Sequence, residues 1–237
     1  MAGPNRSASR ISAMFDEIAP RYDFLNHFLS AGIDRRWRKR AIRSLRLTGR
    51  EVVLDLCSGT GDLAIEAVRA TPRAARVVGV DFSPAMVAFG HAKLRRRHLT
   101  RDVALVLGDA SRIPVSDQTV DAITIGFGIR NVDDRAAACK EMFRVLRPGG
   151  RLAILDFGLP SAPLFRRVYL SYFRHVLPRL GRWISGSPTA YTYLPESVGA
   201  FESGEFMNLL RAAGLVEVAA DPMMFGSVFL YTARRSS

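Results

Sequence analysis

Val52-Val53-Leu54-Asp55-Leu56-Cys57-Ser58-Gly59-Thr60-Gly61-Asp62 is an apolar run that ends in a carboxylate, passes through small residues and enters an amphipathic segment. That pattern reads as a buried strand, a tight loop and a helix N-terminus. Gly59 and Gly61 remove side chains where a backbone must come close to a ligand. An ordinary strand-to-helix turn would satisfy the glycines alone, and Gly59 to Ala64 also fits the G-x-G-x-x-A dinucleotide fingerprint. Charge separates the readings. A pyrophosphate needs a helix N-terminus free of nearby anions, whereas Asp55 and Asp62 bracket this loop. A ligand with a cationic sulfonium and an ammonium group, and no phosphate, suits it better.

Two further strands extend the argument. Arg76-Val77-Val78-Gly79-Val80-Asp81 is a second apolar run ending in an acid, at the place where a doubly wound sheet puts its ribose-binding carboxylate. Nicotinamide and adenosylmethionine enzymes share that position. Val103-Ala104-Leu105-Val106-Leu107-Gly108 leads into Asp109-Ala110, where a carboxylate can accept from an adenine amino group and a backbone N–H can meet a ring nitrogen. A single aspartate of this kind is usually a cap or turn residue. Three strands in series, each closed by an acid, point to S-adenosylmethionine, with Asp55, Gly59, Gly61, Asp81, Asp109 and Ala110 as its expected contacts.

Strands near 51–56, 76–81, 103–108, 120–126 and 150–157 alternate with helices near 62–71, 84–98 and 133–146. This predicts a Rossmann-like α/β fold: a mostly parallel seven-stranded sheet with helices on both faces and the ligand at the carboxyl ends of the strands. A helix near 199–213 and strands near 215–220 and 225–233 complete it, the last pair as an antiparallel addition. The expected organisation is one domain over 1–237, with an N-terminal helical segment at 10–47 and a lid-like insertion near 158–195. That insertion contains no Asp or Glu, and Leu164, Phe165, Val168, Tyr169, Tyr172, Phe173 and Val176 recur in it at helical spacing among arginines.

The 237 residues carry a formal charge of +12. Such an excess favours an anionic membrane, nucleic acid or acidic substrates. Arginine is concentrated at 35–50 and again at Arg95-Arg96-Arg97. The plainer reading of both clusters is a solvated face. There is no apolar run of about 18 residues and no signal-peptide pattern. The two cysteines, Cys57 and Cys139, have no metal spacing and make no disulfide framework, which suggests a reducing cytoplasm.

Several segments together resemble the ubiquinone/menaquinone biosynthesis C-methyltransferases. They are Phe15-Asp16-Glu17-Ile18-Ala19-Pro20-Arg21-Tyr22-Asp23, continuing to Trp37; Phe127-Gly128-Ile129-Arg130-Asn131-Val132; Arg144-Val145-Leu146-Arg147-Pro148-Gly149-Gly150; and Tyr191 to Val198. The first two are specific to that family, while the glycine loop is shared by a much larger superfamily. The chain departs from the family pattern at Asp34 (usually His), Asp156 (usually Glu), Gly158 (usually Ser) and Gly126 (Ser in some members).

The resemblance implies methylation of a ring carbon of a polyprenylated quinol, demethylmenaquinol to menaquinol or the benzoquinol of ubiquinone synthesis. It gives Thr60, Asp81, Asp109 and Ala110 as cofactor contacts and Tyr22, Arg130 and Asn131 as substrate-side residues. A ring carbon becomes nucleophilic when a neighbouring hydroxyl loses its proton, so a phenolate stabiliser and in-line alignment are needed. Arg130 stays cationic and suits an oxyanion; Asn131 could orient the quinol oxygen, and Tyr22 could relay a proton. The other reading is that Arg130 caps a helix or pairs with an acid and that Tyr22 is core. A cytoplasmic protein meeting an anionic membrane peripherally at its inner face is the expected setting, with no nucleic-acid partner and an oligomeric state left open. Rivals are another small-molecule methyltransferase and, in a different class, an RNA-binding protein or RNA methyltransferase.

Overall fold

The central strands are apolar on both sides because helices cover both faces of the sheet. The computed structural model describes residues 8–23, 30, 32–160, 162–171, 197–199 and 201–237. Five parallel strands form the body: β1 (Val52–Leu56), β2 (Arg76–Asp81), β3 (Val103–Leu107), β4 (Val120–Gly126) and β5 (Leu146–Phe157). β6 (Leu215–Met223) and β7 (Val228–Arg235) form a hairpin added antiparallel to β5. The order is β3-β2-β1-β4-β5-β7-β6, so the chain reverses direction across the sheet between β1 and β4. Ligands bind at such a switch point, outside the carboxyl ends of the strands.

The period of two sorts the strand residues between two cores. Val53, Val77, Leu105, Ala122 and Ala153 pack beneath α2 (Asp34–Ser44), α3 (Asp62–Arg69) and α4 (Pro84–Arg96). Leu54, Leu56, Ile123, Ile125, Leu152 and Ile154 face the other way, beneath α5 (Arg135–Val145) and the later helix Ser203–Ala212. The same alternation puts Asp55 and Thr124 on the first face.

The N-terminal helical segment expected at 10–47 is made of separate helices within the described residues. α1 (Ala8–Ile18) runs into a 3₁₀ turn at Ala19–Arg21. α2 begins only after Gly32, whose φ is +75°. Pro20 has no N–H for a continuing α-helix, and a left-handed glycine does not propagate one. Within the 158–195 insertion, α6 (Pro163–Ser171) is a helix, as its periodicity predicts. Tyr172, Phe173, Val176 and Trp183 lie outside the described residues, as do Leu25, Asn26 and Tyr191 to Glu196. The helix Ser203–Ala212 is α7. Among the described residues, no helix is long and apolar enough to cross a membrane.

Candidate active site

The loop after β1 turns through three left-handed residues: Cys57 (φ +51°), Gly59 (+53°) and Gly61 (+84°). Glycine takes this conformation freely, whereas Cys57 holds it at a strain of about 1–3 kcal/mol. The Asp81 carboxylate fixes the loop by accepting from Gly59 N at 2.7 Å, and its other oxygen accepts from Ser83 N at 3.0 Å. Burial raises the Asp81 pKa above the usual carboxylate range.

A cavity of about 190 Å³ opens beside this loop at the carboxyl ends of the parallel strands. Gly59, Asp81, Asp109 and Ala110 line it, together with Tyr22 and Asn131 from the expected substrate side. Asp55, Thr60 and Gly61 do not line it; Asp55 and Thr60 border a smaller cavity that shares Tyr22, Cys57 and Gly126 with the first. The Asp55 carboxylate accepts from the Thr124 hydroxyl at 2.7 Å and from Ala64 N at 3.2 Å, so it ties β1 to β4 and to the first turn of α3. Burial pushes its pKa up to about 7.

One premise of the sequence reading is corrected. Asp62 does not leave an open negative charge beside the loop: Lys93 Nζ reaches it at 2.8 Å and Arg38 Nη1 at 3.0 Å. Lys93, only 5% exposed, also donates to the Thr60 hydroxyl at 2.8 Å and pairs with Asp23 at 2.5 Å. The Thr60 hydroxyl in turn donates to Asp23. Thr60 therefore joins the glycine loop to the residue after Tyr22. Asp16 makes a second tie from the N-terminal segment, accepting from the Ser83 hydroxyl and from Ala85 N at the start of α4. These two ties hold Phe15 and Tyr22 against the cavity.

Arg130 does not line the cavity. Its Nη1 is engaged by Asp156 at 2.6 Å and by the Phe127 carbonyl, and its guanidinium lies 5.2 Å from the Phe157 ring centroid. Asp156, fully buried, also accepts from Arg130 N at 3.1 Å. The geometry is that of the acid-paired arginine, the second of the two sequence readings. It braces the 3₁₀ turn Ile129–Asn131, which presents Asn131 to the cavity.

Sequence reasoning missed Lys93, Asp23, Asp16 and Arg38 as parts of the site, along with the cavity walls Phe15, Phe82 and Met86. A buried lysine has the same spacing on a helix as a solvated one, so only its long-range partners reveal it. The Gly126 departure has a steric counterpart: a Cβ there would sit 2.7 Å from Leu63 Cδ1. At Gly158 it would sit 2.4 Å from the Phe229 ring.

The wall fits an adenosyl ligand. Asp81 could accept from ribose hydroxyls with the lone pairs its backbone bonds leave over, and Asp109 could accept from an exocyclic amine. Phe82, Met86 and Val132 give apolar surface for a base. Among the described residues, no cationic side chain lines this cavity to attract a phosphate.

Comparison with known proteins agrees with this geometry. Residues 5–235 match the ubiE/COQ5 methyltransferase family. A ubiquinone/menaquinone biosynthesis C-methyltransferase of Geobacter sulfurreducens is 45% identical over 95% of this chain and 88% of its own length. The demethylmenaquinone methyltransferase of Thermus thermophilus is 45% identical over 94% of this chain and all of its own. The fold is also that of an S-adenosylmethionine-dependent methyltransferase from Aquifex aeolicus, with a TM-score of 0.60 at 21% identity over 83% of this chain and 88% of that one. With a family match over nearly its whole length, the chain belongs to the ubiE/COQ5 methyltransferases and uses S-adenosylmethionine to transfer a methyl group.

Proposed function

We propose that this enzyme methylates a ring carbon of a polyprenylated quinol, converting demethylmenaquinol to menaquinol. The observation that carries the reading is one cavity whose wall combines Asp81, Asp109 and Ala110 with Tyr22, Phe15 and Asn131. The first set suits the adenosyl ligand, and the second offers aromatic surface and hydrogen-bonding groups for a quinol. Relatives named demethylmenaquinone methyltransferase, each 45% identical to this chain, favour the naphthoquinol.

S-adenosylmethionine supplies an electrophilic methyl group. The chain's own residues bind and orient. Asn131 hydrogen-bonds the ring oxygen next to the accepting carbon, and Tyr22 closes over the ring and relays the hydroxyl proton to bulk solvent. Once the new carbon–carbon bond has formed, the hydrogen on that carbon moves as a proton to the ring oxygen and the ring regains its aromaticity. Arg130 acts through the turn that it braces, as a positioning residue. Water exclusion falls to Phe15 and Phe127, which line the same cavity.

A polyprenyl quinol resides in a bilayer, so the enzyme meets it at a membrane surface. Leu164 on α6 and Phe225 in the β6–β7 turn are 76% and 72% exposed. Phe165 packs against Phe225 with ring centroids 5.0 Å apart. The turn meets the carboxyl end of β5, the end of the sheet that carries the cavity. Exposed Arg166 and Arg167 follow Leu164, a pairing that suits an anionic lipid surface.

The deciding experiment is a transfer assay with labelled cofactor, offering demethylmenaquinol and the ubiquinone-pathway benzoquinol side by side. Faster transfer to the naphthoquinol is expected. Preference for the benzoquinol would reassign the pathway, and transfer to neither would end the quinol reading.

A further inference from the structure

A second cavity, of about 450 Å³, lies at the opposite end of the sheet from the methyl-transfer site. It is built where the chain enters β1, β4 and β5, and the end of α2 closes one side. β1 has five residues, so at ~3.3 Å per residue the two ends are roughly 17 Å apart. Among the described residues, four arginines line the cavity: Arg46, Arg50, Arg147 and Arg151.

Two of them are fixed. Arg147 pairs with Asp121 at 2.7 Å, and Arg151 donates to the Leu45 carbonyl at 3.0 Å. Arg46 and Arg50 make no side-chain hydrogen bond or ion pair within the described residues. Arg46 holds a left-handed backbone (φ +50°) at the end of α2, a conformation that disfavours any residue with a Cβ.

The cavity's two carboxylates are already engaged. Asp121 accepts from Val52 N and Arg147. Glu51 accepts from the N–H groups of Thr48, Gly49 and Arg50 and from the Thr48 hydroxyl. Burial alone would raise the Glu51 pKa, but these bonds outweigh it and hold the group down at about 2. Four guanidiniums against two engaged carboxylates leave an excess of two positive charges in one concavity.

We propose that this cavity is a binding site for a phosphate-bearing dianion, with Arg46 and Arg50 as its free ligands and Arg147 and Arg151 as its fixed wall. Guanidinium forks match phosphate oxygens in geometry as well as charge. The site also gives a place to Arg46 and Arg50 of the arginine cluster at 35–50, whereas Arg38 of the same cluster pairs with Asp62 beside the glycine loop. A phospholipid headgroup and a soluble phosphate ester present the same chemistry, and the experiment separates them.

The test is calorimetry on the full chain at constant ionic strength. The probes are inorganic phosphate and dihexanoyl phosphatidic acid below its micelle concentration. Saturable one-to-one binding is expected, weakened roughly tenfold or more in an Arg46→Gly/Arg50→Ala double variant. Glycine suits the left-handed backbone at 46, so that variant keeps the fold. S-adenosylmethionine affinity, measured in parallel, should equal that of the parent protein. Tighter binding of the lipid than of phosphate assigns the site to a headgroup, and equal binding assigns it to soluble esters. The proposal is overturned if neither probe saturates, or if the double variant binds both as the parent does.

Discussion

Asp55 and Asp81 lie beneath one glycine loop, and both are held by groups of the protein itself. Burial raises Asp55 to about 7, so the folded chain prefers that carboxyl protonated. Its contribution to stability is present in full below the ordinary carboxylate range and is lost as pH rises through 7. Binding of a cationic cofactor runs the other way, because the ionised carboxylate attracts it. S-adenosylmethionine affinity should therefore rise between roughly pH 6 and 8. An Asp55→Asn variant should flatten that rise in a calorimetric series, and an identical pH profile would remove Asp55 from the account. Asp81→Ala deletes an acceptor worth about 1.5–3 kcal/mol and should weaken cofactor binding about tenfold to a hundredfold. It also leaves Gly59 N and Ser83 N without their acceptor, so a lower melting temperature should accompany the loss.

At the scale of elements, the turn after β4 depends on β5. Asp156 points to the face of Leu152 and Ile154 and meets Arg130 there. Removing one partner leaves a buried charge alone, at a cost of about 3–5 kcal/mol. Arg130→Met should destabilise by that amount in urea unfolding, and an Arg130→Met/Asp156→Leu double variant should recover most of it. Arg130→Lys keeps the charge but loses the planar fork. It should slow methyl transfer while cofactor affinity stays near that of the parent. If the double variant were both stable and fully active, the brace on Asn131 would have no catalytic consequence. The N-terminal segment depends on other elements in the same way, through Asp16 at the start of α4 and Asp23 on Lys93.

Over the whole molecule, the basic residues divide between two ends. Arg166 and Arg167 lie beside Leu164 and Phe225 near the methyl-transfer end, whereas Arg46 and Arg50 line the far cavity. A flat bilayer touching Leu164 and Phe225 lies at the other end of the sheet from Arg46 and Arg50. Vesicle flotation should therefore show reversible, salt-sensitive binding to anionic vesicles that a Leu164→Ser/Phe225→Ser variant loses roughly tenfold or more. Retained binding in that variant, with loss in Arg46→Gly/Arg50→Ala instead, would move the membrane contact to the far end.

Local sequence pattern encodes the sheet and its cofactor edge. Apolar runs of strand length, each closed by an acid and followed by a helical period, encode β1 to β3 and their order of use, and they put Asp81, Asp109 and Ala110 on the wall of one cavity. These signals are local, so spacing carries them. Only the tertiary structure decided which charges are answered. Arg130 and Asp156 are 26 residues apart, and Lys93 and Asp23 are 70 apart. No periodicity links such pairs, because burial and partnership arise only when the strands and helices pack. The same holds for the arginines of 35–50, one run in the chain, of which Arg38 meets Asp62 beside the glycine loop while Arg46 and Arg50 line the far cavity.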